Sequence, residues 1–305
     1  MSSNTIVFYP KNIKLRIWKR FLRHRVAAAS GFFLLLLMLM SLTAPLSQFL
    51  FGFDGEQIEI TNRYAPPSLE HPFGTDELGR DLFIRLSYGG QVSLAVGIVA
   101  ALFSSIIGTV IGLVAGYLGG RTDSLLMRCT DGVISLPLLP LLIVLVAIDL
   151  KKIGLPEELA DSENMALYRI IIVIALFGWT TVARLVRAET LSLKNRQFVR
   201  AAEALGASTT HIIMRHILPN SISHITVATT LSIGNIILME SVLSFLGLGI
   251  QPPIASWGNM LTNAQDFIWT APALAIWPGL MIFATVIAFN FLGDGLQDAL
   301  DPRAL

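Results

Sequence analysis

Residues 198–219 read Phe-Val-Arg-Ala-Ala-Glu-Ala-Leu-Gly-Ala-Ser-Thr-Thr-His-Ile-Ile-Met-Arg-His-Ile-Leu-Pro, a polar insertion between two strongly apolar stretches. Phe198, Ala201, Ala202 and Leu205 recur at i, i+3, i+4 and i+7, which is one face of a short helix. Gly206 breaks that helix, because glycine tolerates positive φ. Ser208 is placed to cap a second helix carrying Ile212, Ile213 and Ile217. Pro219 has no N–H to give and is expected to limit that second helix. The segment therefore predicts two short helices around Gly206, in a chain that is otherwise mostly membrane.

The composition supports that setting. Of 305 residues, 53% are hydrophobic and only 14% charged, and the mean hydropathy is +0.66. Ordinary soluble domains carry about 25% charged residues, so the chain is expected to be an all-α integral membrane protein. The net charge of +1 says little, because the charges are segregated along the chain. A single cysteine, Cys129, excludes an internal disulfide and offers no metal-ligand spacing. The five histidines (His24, His71, His211, His216 and His224) are scattered, with no His-Glu-x-x-His pattern and no Ser/His/Asp grouping. Neither a catalytic site nor a metal site is expected.

Apolar stretches predict about six transmembrane helices, near 26–50, 91–118, 125–148, 168–190, 222–247 and 272–293. Pro45, Pro137, Pro140 and Pro278 should bend several of them. The uncharged run from Val26 to Leu50 is too long for a cleaved signal sequence and no clear Ala-x-Ala site follows, so an uncleaved first span is favoured. With the N-terminus inside, sixteen lysines and arginines fall on the inner side and six on the outer. Seven of the inner ones precede the first span. The positive-inside rule then puts both termini and the 194–220 loop in the cytoplasm. The expected organisation is a basic cytoplasmic N-terminus at 1–25, a first helix at 26–50 and an extracytoplasmic segment at 51–90. A core membrane domain at 91–297 and a cytoplasmic tail at 298–305 complete it.

The loop resembles the cytoplasmic "EAA" loop of ABC-importer permeases, with Ala201, Ala202, Gly206, Leu218 and Pro219 at matching positions. Arg200 stands where the general pattern has glutamate and His216 where it has isoleucine. In these departures it is similar to the dipeptide/oligopeptide branch. Three further stretches look like that branch: His71 to Asp81, Ser244 to Pro253 continuing to Ser256-Trp257-Gly258, and Gly293 to Pro302. Together they cover roughly residues 71 to 303. A loop whose Gly-Ala-Ser turn is accidental is the alternative, and these distant stretches argue against it.

The resemblance implies a type I ABC importer permease fold, with a peripheral first span added to a five-helix core. It implies a heterodimer with a second, related permease, two cytoplasmic ABC ATPases, an extracytoplasmic substrate-binding protein and a peptide substrate, in a bacterial cytoplasmic membrane. The 194–220 loop would be the coupling helix. Ala201, Ala202, Leu205 and Ala207 would pack in an ATPase groove, with Arg200, Glu203 and Arg215 as polar rim contacts and Gly206, Ser208 and Pro219 shaping the turn. No glycine precedes a lysine anywhere, so the phosphate-binding loop of an ATPase is missing. Ser87-Tyr88-Gly89-Gly90-Gln91 only superficially matches the ATPase signature. No cofactor is expected on this chain; ATP and Mg²⁺ would bind the partner subunits. No nucleic-acid partner is expected.

Polar groups inside the spans carry weaker expectations. Small residues Gly97, Ala101, Ser105, Gly108, Gly112 and Gly116 recur at three- or four-residue steps, suiting close helix packing or a sliding surface. Asp131 lies one turn from Arg128 and is expected to pair with it. Glu240 could line the translocation path or pair with a partner permease, since an ionisable group in a span faces protein or water, and packing or pairing is favoured over substrate contact. Asn235 and Asn290 are similarly placed. Two rival readings stay open: an importer of another solute, such as nickel or an oligosaccharide, and a secondary transporter driven by an ion gradient.

Overall fold

A histidine separates the first two helices. After α1 (Ile13–Arg23), the His24 ring Nδ1 accepts the Ala27 N–H at 3.2 Å and caps α2 (Arg25–Leu42). Thr43 ends α2, and α3 (Ala44–Phe51) follows with Pro45 in its first turn, where no backbone donor is required. The computed structural model describes residues 13–300 apart from 52–54, 56, 149, 155, 161, 163 and 263. Lys11, Asp301, Pro302 and Arg303, used in the sequence reading, lie outside the described residues.

Asp81 sets the start of the longest helix. Its carboxylate accepts the Ile84 N–H at 2.9 Å, so α4 (Leu82–Leu118) begins nine residues before the expected start at 91. Gly119, at φ +68, ends it. Next come α5 (Gly120–Ser135) and α6 (Leu138–Val146), which meet at 84°. The expected span at 125–148 is therefore broken. Pro137 biases Leu136 toward the extended backbone it adopts, which no helix continues through. A single turn, α7 (Glu157–Ala160), leads to α8 (Met165–Lys194).

Two short helices, α9 (Gln197–Ala204) and α10 (Thr209–Ile212), flank Gly206. Pro219 does not stop the second one. A π turn over Ile213–Ile217 joins α10 directly to α11 (Leu218–Phe245), giving one run, Thr209–Phe245. In a regular α turn the Pro219 ring would press on the Arg215 carbonyl. The wider turn gives it room, and its missing N–H falls in the first turn of α11. The last helix, α12 (Ala273–Leu300), contains Pro278. Among the described residues, five helical runs are long and apolar enough to cross a membrane, or six if the bent α5–α6 pair is one span.

Glycines bring α4 against α8. A Cβ added to Gly108 would fall 2.5 Å from the Trp179 carbonyl oxygen, and one on Gly112 would fall 2.6 Å from that of Ala183. Contact this close is how small residues draw helices together in lipid, where burying apolar surface gives little drive. Buried Val96, Ala100, Leu142, Ile174, Ile236 and Leu243 fill the centre between α4, α6, α8 and α11. Leu34, Ile237, Ile282 and Phe289 add α2 and α12. Phe103, Ile106, Ile172, Leu176 and Phe283 are exposed on the outside, as suits a surface facing hydrocarbon.

Candidate functional site

The 194–220 loop folds through two caps. Leu205 ends α9 and Gly206 follows at φ +82, the left-handed region that glycine enters without strain. The Ala207 N–H donates to the Ala202 carbonyl at 3.0 Å and the Gly206 N–H to that of Glu203 at 2.9 Å, the paired bonds of a Schellman turn. Ser208 then accepts the His211 N–H at 3.3 Å and starts α10.

Burial divides the loop into two faces. Val199, Ile212 and Ile217 are buried with Leu113, Tyr117, Val182 and Val186, so the loop is seated on its own spans. Ala202 and Ala207 lie half-buried against the same cluster. Phe198, Ala201 and Leu205 point outward, with Leu205 88% exposed at the tip. Arg200, Glu203, Ser208, Arg215 and Pro219 are exposed as well. The face expected from periodicity is thus split, because Val199, one residue off that stripe, is the anchor into the chain's own core.

Polar links tie the loop to the ends of the spans. The Tyr117 hydroxyl donates to Glu203 Oε1 at 3.1 Å. Lys194 Nζ donates to the Tyr117 carbonyl at 2.5 Å and lies 5.1 Å from its ring centroid. Arg187 grips Asp123 with two hydrogen bonds, Nε to Oδ1 at 2.5 Å and a terminal nitrogen to Oδ2 at 2.6 Å. Asp131 pairs with Arg184 at 2.5 Å, not with Arg128 as expected, because α8 brings its arginine across to α5.

At the opposite end of the bundle Glu240 is sealed inside the protein, 0% exposed. Its carboxylate is engaged within the chain itself. Ser93 donates to one carboxylate oxygen at 3.1 Å and Ser244 to the other at 2.7 Å. Each serine also accepts a backbone N–H from the segment after α11: Ser93 from Trp257 at 3.2 Å and Ser244 from Ile250 at 3.0 Å. Trp257 fills the space left by Gly89 and Gly90, and its indole N–H donates to the Leu86 carbonyl at 3.0 Å. Asn235 and Asn290 are exposed on α11 and α12.

The segment before α4 is a second polar knot. Asp76 accepts the Leu78 and Arg80 N–H groups at 2.9 Å and is paired with Arg80 at 2.7 Å and Arg85 at 3.3 Å. His71 Nδ1 lies 2.9 Å from Asp81 Oδ2. Between this knot and residues 247–262 lies a cavity of about 200 Å³, lined by Arg80, Arg85, Gln251 and Asn259 among others. Sequence reasoning missed Ser93, Tyr117 and Trp257. Only Trp257 carried a signal, in the Ser256-Trp257-Gly258 stretch.

Comparison with known proteins agrees with this architecture. Residues 15–67 match the N-terminal TM domain of oligopeptide transport permease C, and residues 108–305 match the binding-protein-dependent transport system inner membrane component. The chain is 42% identical over 287 residues to the glutathione transport system permease protein GsiD of Escherichia coli O6:K15:H31 (strain 536 / UPEC), covering 94% of this chain and 89% of that protein. The protein of the same name from Shigella boydii serotype 4 (strain Sb227) is similar to the same extent. A crystal structure of an amino acid ABC transporter with histidines aligns with 70% of this chain and 90% of that one, at TM-score 0.46 and 19% identity. This chain belongs to the family of binding-protein-dependent transport system inner membrane components.

Proposed function

We propose that the chain is a permease subunit of an ATP-driven importer in a bacterial cytoplasmic membrane and that it carries short peptides, glutathione among them. It works beside a second, related permease, two ABC ATPases and an extracytoplasmic substrate-binding protein. The observation that carries the peptide reading is the 42% identity over 94% of the chain with a glutathione permease. The termini and the 194–220 loop lie in the cytoplasm, on the asymmetry of sixteen lysines and arginines against six.

The exposed edge of α9, with Leu205 at its tip, supports the coupling role. Phe198, Ala201 and Leu205 together leave one apolar edge of the loop exposed, a surface available to a partner. Phe198, Ala201 and Leu205 enter a groove on the ATPase, while Arg200 and Arg215 contact its polar rim. Gly206 and Ser208 hold the turn that presents them, and Pro219 holds the π turn behind it. When the ATPases close on ATP, they draw α9 and α10 with them. The spans joined to the loop then shift from an inward-open to an outward-open arrangement. ATP bound on one subunit thereby biases a two-state element in another.

Uptake of labelled glutathione by the reconstituted complex tests the reading. Di- and oligopeptides should compete and uptake should require ATP. Competition by nickel ions or an oligosaccharide in place of peptides would overturn the substrate class. Uptake driven by an ion gradient without ATP would overturn the mechanism.

A further inference from the structure

Tyr117 sits in the last turn of α4, where helix carbonyls have no partner within the helix. Lys194, from the end of α8, satisfies the Tyr117 carbonyl at 2.5 Å and covers its ring. Glu203, from the exposed side of α9, accepts the Tyr117 hydroxyl at 3.1 Å. The ring itself is buried with Val199, Ile212 and Ile217 of the loop. One residue thus joins α4, α8 and α9 through its hydroxyl, its backbone carbonyl and its ring face. The residues bonded are 77 and 86 positions apart in sequence. No other hydrogen bond between side chains joins α9 to α4 among the bonds of the described residues.

We infer that Glu203 is a positioning residue which transmits movement of the loop to α4 through Tyr117, and that its carboxylate is not a contact for the ATPase. This rests on the proposed coupling role of the loop. It reassigns one residue within it: Arg200 and Arg215 face the partner, whereas the exposed Glu203 spends a carboxylate oxygen on Tyr117 of its own chain. A carboxylate engaged by a tyrosine hydroxyl moves with α9, and the hydroxyl carries the pull to a helix of 37 residues that is packed by its glycines on α8. The bond needs an acceptor oxygen and does not need charge, so glutamine can replace glutamate.

The test uses the assembled complex with Cys129→Ser and a bimane fluorophore on Leu102→Cys, an exposed position halfway along α4. In the unsubstituted loop, trapping the ATPases with ATP and vanadate should shift the bimane emission. Tyr117→Phe and Glu203→Ala should each reduce that shift at least twofold. The double variant should be no worse than either alone, and Glu203→Gln should restore most of it. A full response in Tyr117→Phe, additive losses in the double variant, or no response without substitution would each overturn the inference. A Ser208→Cys cross-link to the ATPase separates the two readings. With the cross-link formed, failure belongs to the Tyr117 link alone; without it, the coupling role itself fails.

Discussion

The Ser93 hydroxyl stands between Glu240 and Trp257, donating to the carboxylate at 3.1 Å and accepting the tryptophan backbone N–H at 3.2 Å. With Ser244 doing the same between Glu240 and Ile250, a single buried carboxylate anchors the segment after α11 at two points, through Ser93 to α4 and through Ser244 to α11 itself. This arrangement gives Glu240 a structural task that does not require substrate. Glu240→Leu removes the acceptor for both hydroxyls, and each buried polar group left unmet costs about 1–3 kcal/mol. The variant should melt several degrees lower when followed by tryptophan fluorescence. Glu240→Gln keeps one of the two acceptor oxygens and should melt between the unsubstituted protein and Glu240→Leu.

Gly112 and Gly132 make opposite predictions for the same kind of change. A Cβ on Gly112 meets the Ala183 carbonyl at 2.6 Å, whereas one on Gly132 meets nothing within 4 Å. Gly112→Val should force α4 and α8 apart and sharply reduce the amount of protein accumulating in the membrane. Gly132→Ala should accumulate normally, as immunoblots of isolated membranes will measure.

Gly206 separates backbone strain from crowding. It holds φ +82 with open space around it, so a side chain there adds strain of about 1–2 kcal/mol and no clash. Gly206→Val should reach the membrane at near-normal levels but lose most peptide uptake, because the turn that presents Leu205 changes shape. Normal uptake with normal ATPase stimulation would contradict the coupling role.

Pro219→Ala restores a backbone N–H and removes the ring that the π turn accommodates. The turn should then relax toward regular α-helix, and losing one residue from it would rotate α10 by about 100° relative to α11. Thiol labelling of cysteines placed singly at Ile212 and Met214, buried and exposed respectively, should show their accessibilities exchanging or converging.

Local chemistry was legible in the sequence where it is decided locally. Gly206 and Ser208 form their turn and cap with neighbours three to five residues away. The spans follow from runs of apolar residues alone. The start of α4 was hidden because Arg85, Ser87, Gly89 and Gly90 lower the apolar character of its first turns. Arg85 is explained by Asp76, and Gly89 and Gly90 by Trp257 and Ser41, which the fold brings to them. The same holds for Glu240: its acidity drew attention, but its partner Ser93 lies 147 residues away. Pro219 misled for a different reason. A proline is costly inside a regular α-helix, and a wider turn that accommodates it leaves no mark in the pattern of apolar residues.

Because the π turn lets the helix continue, Thr209–Phe245 has no break along its 37 residues, roughly 55 Å at 1.5 Å per residue. Ser208 caps one tip of this axle and Glu240 is mortised near the other. A torque delivered at the loop therefore meets no joint before it arrives at the clasp on Trp257.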